Sequence, residues 1–228
     1  MEIEENIVYQ LLDEVRAANL NDDEVIEERH IRAFLREHRG TIIHKSFNNG
    51  LTVTANEFQS FGIISLTLSG ATLYYDLPSI IRLPNEAGIR LTSVSGYVIP
   101  IISKESFNLS LNNPVNQFLP KAYIEGDRLV IGKGASNPDS MNNGNTLDSI
   151  ISTINNKQVH LDCILHNPDD LSTYDWTSSP YPLSDRLIPL LKDLVKRKNL
   201  RFFLETKSDE VTNAKNDNIR YHEQGNVK

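Results

Sequence analysis

The feature that most constrains this chain is a change of hydrophobic period, helical at both ends and strand-like between them. Ile3, Ile7, Val8, Leu11, Leu12, Val15 and Ala18 recur at i, i+4, i+8 spacing, with Glu and Asp on the other face. That pattern predicts an amphipathic helix. Asn21 then offers a helix cap, with Glu24 three residues on as its capping-box partner. A second helix is expected from about Asp23 to Phe47, roughly 36 Å long at 1.5 Å per residue. Its apolar stripe is Ile31, Phe34, Leu35 and Ile42, with His38 on the same side.

From Asn48 to about Ser179 the period shortens. "LTVTA", "GIISLTL", "IRLTSVSGYVIPII", "FNLSL" and "VHLDCIL" are β-prone runs separated by Gly, Pro, Asn and Asp. "AYIEGDRLVIG" (Ala122 to Gly132) reads as a hairpin turning at Glu125-Gly126-Asp127. "GKGASNPDSMNNGN" from Gly132 to Asn145 reads as a long polar loop of the kind that serves function or contact. Helical spacing returns after "SSPYPLSD", where Ser184 can cap a helix with Leu187, Leu191, Leu194, Val195 and Phe202 on its core face. Pro189 should kink its first turns.

The expected fold class is therefore α+β: a bundle of two N-terminal helices (1–48) and one C-terminal helix (181–206), a sandwich- or barrel-like β domain (49–180), and an extended tail (207–228). That tail, "SDEVTNAKNDNIRYHEQGNVK", is polar with few apolar anchors and would order only against a partner. The chain has one cysteine, Cys163, which excludes an internal disulfide framework. It shows neither 18 consecutive apolar residues nor a signal-peptide pattern, so the expectation is a soluble chain made in a cytoplasm, with no membrane partner.

Charge is distributed in blocks. Residues 1 to 28 hold ten acidic groups against Arg16 alone, a net of −9. Residues 29 to 45 hold Arg29, Arg32, Arg36, Arg39 and Lys45 against Glu37, a net of +4. At 100° per residue the four arginines fall in a band about 80° wide beside the apolar stripe. A second basic run contains Lys192, Lys196, Arg197, Lys198 and Arg201. A rail of this kind can be a solvated helix face, a track for phosphates, or one half of a contact with acidic surface. The whole chain is net −7 and aromatic residues are not interleaved with the rail, which disfavours a nucleic-acid track. Pairing with acidic surface, on the first helix of the same chain or of a neighbour, is the best physical fit.

Catalytic and metal-binding motifs are weak. In "HLDCILH", strand alternation turns Cys163 away from His160 and His166; His160, Asp162 and His166 share a face with no fourth ligand in view. "GDRLVIGKG" has five residues between Gly126 and Gly132 and lacks the Ser or Thr that a phosphate loop places after its lysine. No G-x-S-x-G nucleophile elbow occurs. The expectation is a non-enzyme without cofactor or metal. Trp176 in "YDWTSSPY", with Tyr181 nearby, is the one place where a ligand-binding β module on a helical base could anchor a ligand.

"EERHIRAFLREHRGTIIHKSF" (Glu27 to Phe47) resembles the second helix of a family of virion structural proteins from the crAss-like group of short-tailed phages. "YPLSDRLIPLLKDLVKRKNLRFFLETKSDEVTN" (Tyr181 to Asn213) resembles the C-terminal segment of that family, in which a Tyr-Pro start leads into a helix and a polar tail. The middle is similar in architecture only. The resemblance implies a head-to-tail connector, or tail-adaptor ring protein. Copies would form a homo-oligomeric ring, expected to number twelve, beneath the portal protein and in contact with neighbouring ring or tail proteins. DNA would pass through its lumen without sequence-specific binding. It further implies subunit contacts at Arg29, Arg32, Arg36, Arg39, Lys192 and Lys196, and a docking arm carrying Asn213, Asn216, Ile219, Arg220 and Tyr221. The family brings no catalytic residues and no cofactors.

Overall fold

The structure, a computed structural model, describes residues 2–18, 26–69, 72–110, 120–132, 157–201 and 203–204. Four α-helices and seven strands lie among the described residues, the strands in two antiparallel sheets. The chain divides into two compact units, Met1–Lys45 with Asp175–Lys228, and Ser46–Tyr174.

The first unit is helical. Helix α1 (Glu4–Ala18) buries Ile7, Val8, Leu11, Leu12 and Val15, the positions its spacing selects. Helix α2 (Glu28–Asn48) starts later than its sequence suggests, since residues 26 and 27 are not helical. The Glu27 carbonyl accepts from His30 and Ile31, while its own N–H donates to His30 Nδ1 at 3.2 Å. His30 thus meets a donor at the helix start. The Asn21–Glu24 capping box lies outside the described residues. Tyr9 donates to Glu28 at 2.9 Å and Arg32 to Glu4 at 3.0 Å, so α1 and α2 run antiparallel. Residues 176–183 run beside the start of α1: Glu5 N–H donates to the Trp176 carbonyl, Tyr181 N–H to the Glu2 carbonyl, and Ile3 bridges Pro180. One orphan donor of α1's first turn is thereby satisfied.

The C-terminal segment corrects two expectations. Ser184 is not the cap; helix α4 (Ile188–Val195) begins four residues later, and Ser184 is buried with its Oγ unbonded. The later start puts Pro189 in the first turn, where its missing N–H costs nothing, so it does not kink the helix interior. A π-helical turn, Lys196–Leu200, continues the segment and buries Leu200. Phe202 lies outside the described residues.

The second unit is built on β1 (Gln59–Ser65), β2 (Thr67–Ser69), β3 (Thr72–Asp76), β4 (Ile89–Ser93), β5 (Lys121–Glu125), β6 (Arg128–Gly132) and β7 (Gln158–Cys163). One sheet has the order β1-β7-β4 and the other β2-β3-β6-β5, every strand pair antiparallel. Neither closes, so the barrel half of the expectation does not hold among the described residues. Buried side chains of both sheets, among them Ile64, Leu73, Leu91, Leu129, Ile131, Val159 and Leu161, form one core cluster. Only Leu66 separates β1 from β2; its N–H donates to the Lys157 carbonyl at 2.8 Å, and there the chain passes from one sheet to the other. The expected hairpin is β5–β6, pairing Glu125 with Arg128 around Gly126-Asp127, with Gly126 at φ 58°.

Two β-prone runs are not strands. "LTVTA" is irregular and leads into a 3₁₀ turn at Ala55–Glu57, where Thr54 N–H donates to Glu57 Oε2 at 2.6 Å. "FNLSL" falls, through Ser110, in helix α3 (Lys104–Ser110). Ser103 starts that helix, its Oγ accepting from Ser106 N–H at 3.1 Å, and Phe107 packs on Tyr123 with ring centroids 4.8 Å apart. A local cap and one buried aromatic outweigh the β propensity there. Most of the long polar loop, residues 133–145, lies outside the described residues.

Candidate functional site

Charged side chains concentrate in the helical unit, and among those described two, Glu4 and Arg39, are buried. Arg29 is 74% exposed, with Nε 2.6 Å from Glu27. Arg32 donates from Nε to Glu4, whose side chain is 1% exposed, and its guanidinium stacks 4.5 Å from the centroid of the Trp176 ring. A desolvated carboxylate requires such a cation, because an unpaired buried charge is far costlier than an exposed one. Arg36 is half-buried. Arg39 is fully buried and donates to the Pro182 carbonyl from Nε at 3.0 Å and Nη2 at 2.8 Å.

The second basic run meets the acidic face of α1. Lys192 Nζ lies 2.7 Å from Glu2 and 2.6 Å from Gln10 Oε1, and Lys196 donates to Glu14 Oε1 at 2.7 Å. Arg197 pairs with Asp193 one turn back. His38 Nε2 lies 2.6 Å from Asn199 Oδ1. Arg32, Arg39, Lys192 and Lys196 thus all engage groups of their own helical unit.

Tyr181 is fully buried, its hydroxyl 3.5 Å from the Leu35 carbonyl. Burial pushes its phenol well above the usual tyrosine range; Glu4 adds to the shift, while Arg39 and Arg36 oppose it. Of the two aromatics of the suggested ligand site, Tyr181 is enclosed, and Trp176 is half-buried with Arg32 over one face of its ring. Asn213, Asn216, Ile219, Arg220 and Tyr221 lie outside the described residues.

In β7, Val159, Leu161 and Cys163 turn into the core and His160 and Asp162 turn away. Among the described residues no cluster of His, Cys, Asp or Glu could hold a metal ion, and no helix is long and apolar enough to cross a membrane. An open cavity of about 410 Å³ borders β4.

Sequence reasoning missed Glu4 and Pro182. Glu4 could have been found: it precedes Ile7, Val8 and Leu11 by three, four and seven residues, which puts it on the apolar face. Pro182 acts only through its carbonyl, which no side-chain pattern reports.

A family model described as phage tail ring protein 2 matches residues 6–218. No curated protein matches the chain.

Proposed function

Because the chain belongs to the phage tail ring protein 2 family of crAss-like phages, we propose that it is the subunit of a ring in the head-to-tail connector, beneath the portal. The family makes it a virion structural protein that assembles as an oligomer in the tail. In our reading, twelve copies close around a channel through which DNA passes without sequence-specific contact. The chain is synthesised in the host cytoplasm and has no catalytic role. The family match over residues 6–218 carries this reading.

The helices of the first unit form the bundle, with 1–48 and 181–206 contributing to it and 49–180 forming the β domain. Within that bundle Arg32 and Lys196 tie α2 and the C-terminal segment to α1, Lys192 reaches Glu2 and Gln10, and Arg39 ties α2 to the Pro182 carbonyl. Arg29, largely exposed, and Arg36, half-buried, are the members of the rail with surface to present to a neighbouring subunit. The polar tail, residues 207–228 with Asn213, Asn216, Ile219, Arg220 and Tyr221, docks on the portal. A polar segment that orders on binding has low affinity per contact, and ring symmetry multiplies it.

Electron microscopy of the full chain mixed with the portal ring of the same genome tests the reading, with copy number from native mass spectrometry. The expected result is one added ring, lost on deletion of residues 207–228. A chain that leaves the portal bare, yet forms rings alone, would place it elsewhere in the tail.

A further inference from the structure

The β unit has two unlike flanks, each crossing both sheets. Strands β1 and β2 are edge strands, and with only Leu66 between them they make one continuous edge, Gln59–Ser69. No strand covers that edge among the described residues. On the opposite flank, residues 97–102 cover both remaining edges. Ser93 N–H donates to the Tyr97 carbonyl and Ile99 N–H to the Leu91 carbonyl beside β4. Ala122 N–H donates to the Pro100 carbonyl and Ile102 N–H to the Ala122 carbonyl beside β5.

Neither flank carries charge, the commonest device that keeps sheet edges from associating, although β1 has a bulge between Ser60 and Gly62. Exposed edges usually carry charged side chains, Lys above all. Here no charged residue occurs between Glu57 and Asp76, nor between Arg90 and Lys104. The open edge instead exposes Ile63 (52%) and Leu68 (41%), and the covered flank exposes Tyr97 (64%) and Val98 (77%). Beside Val98 lies the cavity of about 410 Å³, lined by Ile89, Leu91, Pro100 and Ile101, with Glu86 and Arg90 also on its wall. One flank projects apolar side chains along an edge; the other offers a hollow whose lining is mostly apolar.

We infer that these flanks are the two halves of the β unit's share of the ring contact, the Gln59–Ser69 edge of one copy packing on the Tyr97–Val98 flank of the next. The inference rests on the ring reading, and the occupant follows from it. A closed ring needs two different, mutually complementary surfaces on opposite sides of each subunit. The paired charges of the helical unit are already engaged within the chain, whereas these flanks are apolar and unlike, and lie at opposite ends of both sheets. Ile63 and Leu68 of one copy seat against the hollow beside Val98 of its neighbour.

Cysteine crosslinking of the full-length protein tests this, alone and in purified particles. Native Cys163 is fully buried and gives no background. The double variant Ser65→Cys with Ser95→Cys is expected to give a ladder ending at the ring's copy number. Each single variant alone should give monomers, and an equimolar mixture of the two should stop at dimers. Leu68→Lys and Val98→Lys should each abolish rings while leaving thermal unfolding unchanged, since both side chains are exposed. Rings that form in the double variant without a disulfide joining the two substituted positions, or that survive both lysine substitutions, overturn the inference and leave the ring reading standing. A chain that stays monomeric both alone and in particles overturns both.

Discussion

The guanidinium of Arg39, wholly removed from solvent, donates two hydrogen bonds to a single main-chain oxygen, that of Pro182. A residue of the second helix is thereby tied to one 143 positions later, just before the C-terminal helix. The carbonyl belongs to a Tyr-Pro-Leu segment whose three side chains are all buried, so water cannot replace the donor. Arg39→Ala removes both bonds and opens a large void. Its expected cost is about 3–5 kcal/mol, and that of Arg39→Met, which keeps most of the volume, about 1–3 kcal/mol. Urea unfolding of the full chain measures both; equal stability of Arg39→Met and wild type would mean the bonds to Pro182 add nothing net.

Arg32 lies between the buried Glu4 carboxylate and the face of Trp176. Arg32→Ala leaves that carboxylate with less compensation and is expected to destabilise by about 2–3 kcal/mol. Glu4→Gln in the same background should restore part of the loss, because the uncompensated charge is then gone. Arg32→Lys keeps the charge and loses the planar stack, about 1 kcal/mol. Trp176 is the only tryptophan, so its fluorescence reports the local packing directly. An unshifted spectrum in Arg32→Ala would mean the stack is not populated in solution.

The two arginines also mark how far the sequence can be read. The apolar spacing of α1 is realised position by position, and the β5–β6 hairpin turns where its Glu-Gly-Asp signal puts it, because both are local patterns. The arginine band is legible as a band, but its members have different fates. Arg39 follows Leu35 by four and precedes Ile42 by three, so it lies on the core face, whereas Arg29 stays in water. Spacing alone assigns a side, and the Pro182 carbonyl that helps a guanidinium to be tolerated there has no signature in that spacing. The pairing of β1 with β7, about a hundred residues apart, has no local signature at all. Pro189 reads as a kink only while Ser184 is taken as the cap; the true start, four residues later, makes it a first-turn proline.

Tyr181 should titrate only when the protein unfolds. Burial raises its phenol above the ordinary value near 10, so the folded state holds the proton more tightly than the unfolded one. The resulting stability is fully present below about pH 10 and is lost as pH rises beyond it. In an alkaline titration followed by phenolate absorbance, one of the eight tyrosines should ionise together with the loss of helical circular dichroism. Tyr181→Phe should move that unfolding to higher pH while costing only about 0.5 kcal/mol at neutrality, since the hydroxyl is 3.5 Å from its acceptor. Ionisation of all eight tyrosines before any unfolding would show that the Tyr181 ring reaches solvent.

Gly88 precedes β4, and its size decides whether two segments of the β unit can meet. A Cβ at this position would lie 2.6 Å from the Ile81 carbonyl oxygen, which is main chain and has no rotamer to give way. Both neighbours are fixed by one another: Ile164 N–H donates to the Gly88 carbonyl at 3.0 Å, and Ile81 N–H to the Ile164 carbonyl at 2.7 Å. Gly88→Ala must therefore push a strand end off its partners, with an expected loss of about 2–3 kcal/mol. Gly62→Ala is the control, since open space surrounds its Cβ position and only its positive φ of 65° opposes the substitution. That strain is worth about 1 kcal/mol. Thermal unfolding of the two variants should rank Gly88→Ala as the less stable; the reverse order would mean that the approach of Gly88 to Ile81 is looser in solution than 2.6 Å implies.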